Sequence, residues 1–330
     1  MRLLITGASG FIGGEVATTA LAQGHAVRAI VRDRTHAAGL ADVGADVFVG
    51  RITDIATMTA ALEGIDVLVQ SAALYTYGRG EGGRMIRENP AITEAVLGAA
   101  RRAGTRHVVD ISSTVVFKPH PGGTRAGVVD ADSPRWQPGD VHWDDPYLRS
   151  KVLADAVVDR FRTEGLPVSS VYPSMVIGPG DRGPGTSGVL LRSLWRTRVQ
   201  LDGALGWTDV RDVAAAVLVV AARAPGGRHL VSIGTRTLRE MAALTDVAMG
   251  RRVRRLFVPR PAARAMARVN DAFGGRLVPD LPPRPSLEYL LTTGPIDGSS
   301  GLPSLGLRHR PLEETVKDAF DWWAANGPRP

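Results

Sequence analysis

The 330-residue sequence predicts an α/β fold, a doubly wound parallel sheet with a smaller, mainly C-terminal lobe attached. Three observations predict it. A glycine-rich turn joins an apolar opening strand to a segment of helical period. Short apolar runs then alternate with helical segments as far as residue 233, and from residue 234 onward the alternation stops.

The opening stretch reads M-R-L-L-I-T-G-A-S-G-F-I-G-G. Residues 2–6 form a buried strand by their apolar run, Gly7, Gly10 and Gly13 follow at three-residue spacing, and apolar periodicity continues through Leu21. Strand, bare turn and helix together let a pyrophosphate lie against backbone, where unpaired N–H groups and the helix dipole favour an anion. Taken alone, G-x-x-G-x-x-G also reads as a tight turn and nothing more.

Further strands are expected over residues 26–31, 46–49, 65–70, 106–111, 168–172 and 228–233, with helices over 55–62, 91–103 and 208–222. This alternation gives right-handed crossovers and hence a parallel sheet. Pro90 suits the first turn of the helix after it. Residues 180–188 read as loop, 238–249 and 312–325 as helices, and the prolines of 259–261 and 279–285 as breaks. The expected division is a nucleotide unit over 1–177 and 207–233, and a substrate lobe over 178–206 and 234–330.

Composition narrows the classes. An apolar content of 44% and a charged content of 22% suit a folded globular chain. No run of 18 apolar residues occurs and the chain opens on a strand, so no cleaved signal or stable membrane span is expected, and a cytoplasmic location is expected with them. Without cysteine there is no thiolate nucleophile and no cysteine-ligated metal. The net charge of +7 invites a nucleic-acid reading, but only Lys118, Lys151 and Lys317 are lysines, and the arginines are scattered apart from the 251–255 cluster. We therefore expect no nucleic-acid partner and a small-molecule substrate.

Four places beyond the glycine turn carry chemistry. The second strand ends at Arg32, Asp33 and Arg34, the position that faces an adenosine ribose, where a carboxylate holds a 2′-hydroxyl and an arginine a 2′-phosphate. Arg32 favours NADP(H) over NAD(H), although a strand-end arginine is also an ordinary solvated charge. After the fourth strand, Ser71, Ala72 and Ala73 are small enough for backbone to approach a ribose, or for a helix to pack. The fifth strand ends in Ile111, Ser112, Ser113 and Thr114, which puts hydroxyls at the ligand-binding edge of the sheet.

The fourth place is D-D-P-Y-L-R-S-K, residues 144–151. Asp145 is a natural helix cap and Pro146 suits the first helical position, so Tyr147 and Lys151 stand four apart on one face. A tyrosine hydroxyl titrates near 10, too high for neutral proton transfer, and a neighbouring ammonium favours the phenolate. Such a tyrosine becomes a usable acid or base. The alternative, a surface tyrosine beside a lysine by coincidence, is disfavoured because a chain with 5 tyrosines and so few lysines yields this spacing only about 0.05 times by chance.

Together these residues resemble the extended short-chain dehydrogenases/reductases. Residues 6–13, T-G-A-S-G-F-I-G, resemble the family's cofactor turn, Tyr147 to Lys151 its Y-x-x-x-K, and Ser112-Ser113 its strand-end serine pair. Tyr172-Pro173 through Gly178-Pro179-Gly180 resembles the R-P…G-P-G segment, Val210-Arg211-Asp212-Val213-Ala214 the V-x-D-V-A helix start, and Leu312-Glu313-Glu314, Trp322 and Gly327 the carboxyl end. The likeness covers nearly the whole chain. Residues 27–33, V-R-A-I-V-R-D, are similar to the dihydroflavonol 4-reductase branch, with 3-beta-hydroxysteroid dehydrogenases nearly as close.

The resemblance implies a Rossmann domain, reversible carbonyl reduction with NADP(H), and a homodimer. It assigns Ser113, Tyr147 and Lys151 to catalysis without a metal. It assigns cofactor binding to Gly7, Ser9, Gly10, Phe11, Ile12, Gly13, Arg32, Ile52, Ala72, Ala73, Lys151, Pro173 and Val176. The chain departs from the family at three points: Arg51-Ile52 stands where an acid-leucine pair is usual, Gln70 replaces a histidine, and Tyr172 replaces an arginine. A nucleotide-sugar epimerase of the same family and a non-catalytic NADP sensor are the competing readings. Residues 74–84, 118–143 and those after 178 are expected to choose the substrate, with Trp136, Trp143, Trp195 and Trp207 as apolar walls or plain packing. An amphipathic stretch over 251–277 reads as part of the lobe, or as a surface that meets a membrane.

Overall fold

A computed structural model of the chain describes residues 1–76, 81–140, 145–182, 186–273, 276, 287 and 294–327. Outside them lie Trp143, Asp144, part of the 180–188 loop, the 279–285 proline break and the ends of several expected substrate-side segments.

A seven-stranded sheet forms the centre. Its strands are β1 (Arg2–Thr6), β2 (Ala26–Val31), β3 (Asp46–Val49), β4 (Val67–Gln70), β5 (His107–Ile111), β6 (Val168–Pro173) and, numbered by its place in the chain, β10 (Arg228–Val231). They pair in the order β10-β6-β5-β4-β1-β2-β3, parallel throughout. Both faces are covered, so β4, β5 and β6 are buried along their whole length, the polar His107, Asp110, Ser169 and Ser170 included.

On one face pack α1 (Phe11–Ala22) and α7 (Val210–Ala222), closing an aliphatic core of Leu3, Ile5, Val16, Val109, Val213 and Val217 with their neighbours. The short α2 (Ala38–Asp42) lies between β2 and β3 in the chain. On the other face, α3 (Ile55–Ala61), α4 (Gly82–Arg102) and α5 (Pro146–Thr163) bury Leu4, Met58, Leu97, Val158 and Phe161. The predicted doubly wound sheet is borne out.

A second core gathers around the fully buried Trp207. It is enclosed by α6 (Thr186–Arg196), α8 (Leu238–Ala248), α9 (Arg260–Ala272) and α11 (Leu312–Asn326); α10 (Gly301–Ser304) is a single turn packed near β10. Two small sheets belong to this side of the chain. One orders β7 (Met175–Ile177), β9 (Ala204–Asp209) and β11 (Gly234–Thr237) as β11-β9-β7, and the other pairs β8 (Val199–Leu201) with β12 (Leu256–Val258).

Several local expectations are corrected. Pro90 sits inside α4 and not in its first turn, because the helix begins at Gly82. An interior proline costs about 3 kcal/mol. Tertiary contacts offset it: Asn89 Oδ1 accepts from Leu74 N at 2.7 Å, and its Nδ2 donates to Leu74 O and Ser150 Oγ, both at 3.0 Å. The helix expected from residue 208 starts at Val210, since Thr208 and Asp209 complete β9 and Asp209 caps the helix through Arg211 N at 2.7 Å. Pro261 does not break the chain; it lies in the first turn of α9, where a missing N–H is tolerated.

Candidate active site

The order of strands reverses between β1 and β4, and ligands of doubly wound sheets bind in the crevice outside the strand ends there. β1 runs into Gly7 and β4 into residues 71–73. The two exits are tied together, for Thr6 Oγ1 accepts from Ser71 N and Ala72 N at 3.1 Å each. Contact is close enough that a Cβ on Gly7, whose φ is +68°, would lie 2.9 Å from Ala72 Cα. A Cβ on Gly13 would lie 2.3 Å from the Gly7 carbonyl oxygen, so the first turn of α1 can fold onto the loop only through glycine.

Gly10 is the N-cap of α1, with no side-chain cap and no acidic residue in the first turn. Ser9 and Gly10 are exposed while Phe11 and Ile12 are half-buried. Uncapped backbone donors in a first turn with no acidic side chain fit the pyrophosphate of a dinucleotide.

The register pairs Val31 with Val49, so Arg32 and the Arg51-Ile52 segment leave adjacent strand ends. Arg32 is exposed. Asp33, the acid beside it, is turned into its own chain, where Oδ1 caps a 3-10 turn by accepting from Thr35 N at 3.0 Å. Ile52 packs half-buried against the core under α3, while Arg51 is exposed. Pro173 ends β6, and Val176 is buried in β7 against the α1–α7 core.

The chemical edge lies one strand further on. Asp145 caps α5 by accepting from Tyr147 N at 2.8 Å and Leu148 N at 3.0 Å, and Pro146 takes the first helical position, as the sequence predicts. Tyr147 and Lys151 are therefore half-buried one turn apart, and the Lys151 ammonium donates to Ile111 O at 3.4 Å, at the end of β5. The Tyr147 ring meets the Tyr75 ring edge-on, with centroids 4.8 Å apart. Ser113 is buried and caps the turn after β5, its Oγ accepting from Val115 N at 3.4 Å. That bond uses only a lone pair and leaves the hydroxyl proton to be donated.

Behind Lys151 the structure places a group of buried polar side chains. Asp155, one turn further along α5, accepts from Ser112 Oγ at 3.4 Å and from Tyr172 Oη at 3.0 Å. Arg135 pairs with both Asp155 and Asp159, which keeps its guanidinium firmly protonated. Burial raises the Asp155 carboxyl above its ordinary value, with Arg135 opposing, and burial together with the Asp155 charge raises the Tyr172 hydroxyl. Asp110 on β5 is raised as well: burial pushes it up to about 7, opposed by Lys151 and reinforced by Asp155.

The fold thus brings together Gly7, Gly10, Gly13 and Ala72 at one turn, and Ala72, Ala73 and Lys151 around one small cavity. Arg32 and Ile52 stand at the far strand ends. Sequence reasoning missed Asp110, Asp155, Arg135, Asn89 and Tyr75. Two had a signal available: Asp110 is a lone acid in the apolar strand H-V-V-D-I, and Asp155 extends the spacing of Tyr147 and Lys151 by another turn.

A glycine-turn Rossmann sheet with tyrosine and lysine one turn apart beside a strand-end serine defines an enzyme of the extended short-chain dehydrogenase/reductase type. The chain belongs to the NAD dependent epimerase/dehydratase family, whose model matches residues 3–234. It is 28% identical to Sterol demethylase protein B of Methylococcus capsulatus over 99% of each chain. It is 29% identical to the 4-hydroxy-2-methyl-3-oxo-4-farnesyl-3,4-dihydroquinoline-1-oxide ketoreductase of Stigmatella aurantiaca, covering 84% of this chain and 82% of that one. Relatives named as dihydroflavonol 4-reductase and 3-beta-hydroxysteroid dehydrogenase bear out the branch. A nucleoside-diphosphate-sugar epimerase from Pseudomonas aeruginosa shares the fold at a TM-score of 0.81 and 21% identity, covering 99% of this chain and 98% of that one. The family and its structural neighbours bind nicotinamide dinucleotides. No helix among the described residues is long and apolar enough to cross a membrane.

Proposed function

We propose that the chain is an NADP(H)-dependent oxidoreductase that reversibly reduces a ketone or aldehyde of a small, hydrophobic substrate to the alcohol. The observation that carries this reading is Lys151, one turn from Tyr147 and held at the Ile111 carbonyl beside the Ser112-Ser113 strand end. When bound, the cofactor supplies the hydride that reaches the carbonyl carbon. Ser113 Oγ donates a hydrogen bond to the carbonyl oxygen, and Tyr147 Oη delivers the proton that completes the alcohol. Lys151 stabilises the phenolate left behind and can hold the nicotinamide ribose. Negative charge grows on the carbonyl oxygen during the step, so donors aimed there act on the transition state specifically.

NADP(H) over NAD(H) is supported by exposed Arg32 beside an Asp33 already committed to its own turn. Gly7, Ser9, Gly10, Phe11, Ile12, Gly13, Ile52, Ala72, Ala73, Pro173 and Val176 complete the proposed cofactor site. We assign 178–206 and 234–330 to the substrate lobe and 1–177 and 207–233 to the cofactor unit; the second core supports this in that its members come from 191–205 and 238–323, with Ile177 and Trp207 at the seam. The hydrophobic substrate class is supported by relatives whose names include a sterol demethylase protein and a farnesyl ketoreductase. A cytoplasmic homodimer is the form we propose.

The test is NADPH and NADH oxidation across aldehydes, flavanones, steroids and nucleotide sugars, with Tyr147→Phe alongside the native chain. Carbonyl-dependent NADPH oxidation that falls on the order of 100-fold or more in Tyr147→Phe, with NADPH binding kept, is the expected result. Near-native turnover in that variant sinks the assignment. Tightly retained cofactor and turnover of nucleotide sugars alone would mark an epimerase.

A further inference from the structure

Asp110 sits on β5, three residues before Ser113, with its side chain on the face that α4 and α5 cover. It is 6% exposed, and among the described residues no hydrogen bond reaches its carboxyl group. A buried carboxylate left unpaired is costly, so the surroundings must supply a partner or a proton. They supply a cavity of about 20 Å³, whose polar lining is Gln70, Asn89, Asp110, Ser112, Lys151 and Asp155, with Thr93. A space of at least roughly 10–15 Å³ with two to four polar partners is what a buried water needs.

The groups facing Asp110 can be taken element by element. From α5 come Lys151, Asp155 and Arg162, of which Asp155 is already paired with Arg135. From α4 come only the neutral Asn89 and Thr93, and from β4 the neutral Gln70. From β6, Ser170 is the Cα partner of Asp110 and accepts from Arg162 Nη2 at 2.8 Å, and the Tyr172 hydroxyl is spent on Asp155. Among the described residues, Lys151 is therefore the nearby cation that neither a carboxylate nor a serine engages, and its hydrogen bond to Ile111 O uses one of three donors.

We propose that Asp110 is a positioning residue that acts through Lys151, the two joined by a single water in this cavity, and that its ionisation decides how much of the ammonium charge is left for Tyr147. In its acid form Asp110 leaves that charge to the phenolate. As a carboxylate, having released its proton to solvent, it competes for the same ammonium and makes the Tyr147 phenolate harder to form. An affinity for protons raised by burial puts the change near neutrality. This inference rests on the proposed function for its catalytic half alone.

Two experiments separate the halves. Thermal unfolding against pH, needing no substrate, compares native, Asp110→Asn, Lys151→Met and the double variant. A folded-state acid with raised proton affinity contributes stability that is complete below the unfolded value and lost as pH rises through the folded one. Asp110→Asn should thus melt higher than the native chain at pH 8, with the gap closing toward pH 4. In the Lys151→Met background that gap should widen, because the carboxylate has lost its cation. An unchanged gap there overturns the coupling, and no pH-dependent gap at all overturns the buried charge.

The second experiment follows alcohol oxidation against pH with whichever substrate pair the carbonyl panel supports. In Asp110→Asn the acid limb should move to lower pH by on the order of one unit, the size of a neighbouring charge's effect. Superimposable profiles would overturn the proposal even where Tyr147→Phe has already established the reductase. Should the panel find no activity, the thermal cycle still decides whether Asp110 and Lys151 are coupled.

Discussion

Tyr172 Oη donates a 3.0 Å hydrogen bond to Asp155 Oδ1, one turn of α5 beyond Lys151. Tyrosine stands at this strand position where the family usually has arginine, and Asp155 takes its cation from Arg135, in the segment before α5. The helix that carries Tyr147 and Lys151 is thus pinned on its inner side by a bond to β6 and an ion pair to the 133–136 segment.

Removing that cation should be expensive. The Arg135 and Asp155 side chains are 13% and 5% exposed, and breaking a buried pair from one side costs about 3–5 kcal/mol. Arg135→Met should lose stability of that order in urea titrations. Without Arg135 the Asp155 carboxyl rises further above its unfolded value, and Asp159 loses the bond that lowers it. The Asp155 cost builds as pH rises above the unfolded carboxylate range, whereas the Asp159 loss is already complete there, so the deficit should grow between pH 4 and pH 8 through Asp155. A deficit independent of pH would contradict the ion-pair account.

Cofactor choice should reside at the end of β2. Arg32→Ser removes a proposed charged contact to a 2′-phosphate, worth about 1.5–3 kcal/mol, so the NADPH to NADH ratio of kcat/KM should fall on the order of 10- to 100-fold. An unaltered ratio would place the selectivity elsewhere.

The glycines of the turn should behave differently from one another. Gly13→Ala puts a Cβ 2.3 Å from the Gly7 carbonyl, and forced overpacking of this kind costs about 1–3 kcal/mol, so both melting temperature and NADPH affinity should drop. Gly10 leaves 3.2 Å to the same atom, and its Cβ would occupy the helix N-terminus itself. Gly10→Val should therefore keep most of the stability and lose cofactor binding, which fluorescence titration with NADPH reads directly. Unchanged affinity in Gly10→Val would refute the pyrophosphate cradle.

Much of the site was readable in the chain because its chemistry is local. Gly7, Gly10 and Gly13 answer to one turn, Asp145 and Pro146 to one helix start, and Tyr147 and Lys151 to a single helical repeat. Alternating apolar runs were enough for the parallel sheet. Where local rules and packing disagreed, packing won: Pro90 lies within α4 because Asn89 fastens that turn to Leu74 and Ser150, 15 and 61 residues away in the chain.

The sequence by itself determined the fold class, the glycine turn and the spacing of tyrosine and lysine, since each depends on residues within a few positions of one another. Only the tertiary structure set Asp110 beside Lys151, 41 positions apart, and formed a water-sized polar cavity between them. Only it turned Asp33 away into its own turn and matched Arg135 to Asp155. A buried charge takes its properties from whatever the fold packs against it, and those neighbours come from distant strands and helices that no local pattern connects.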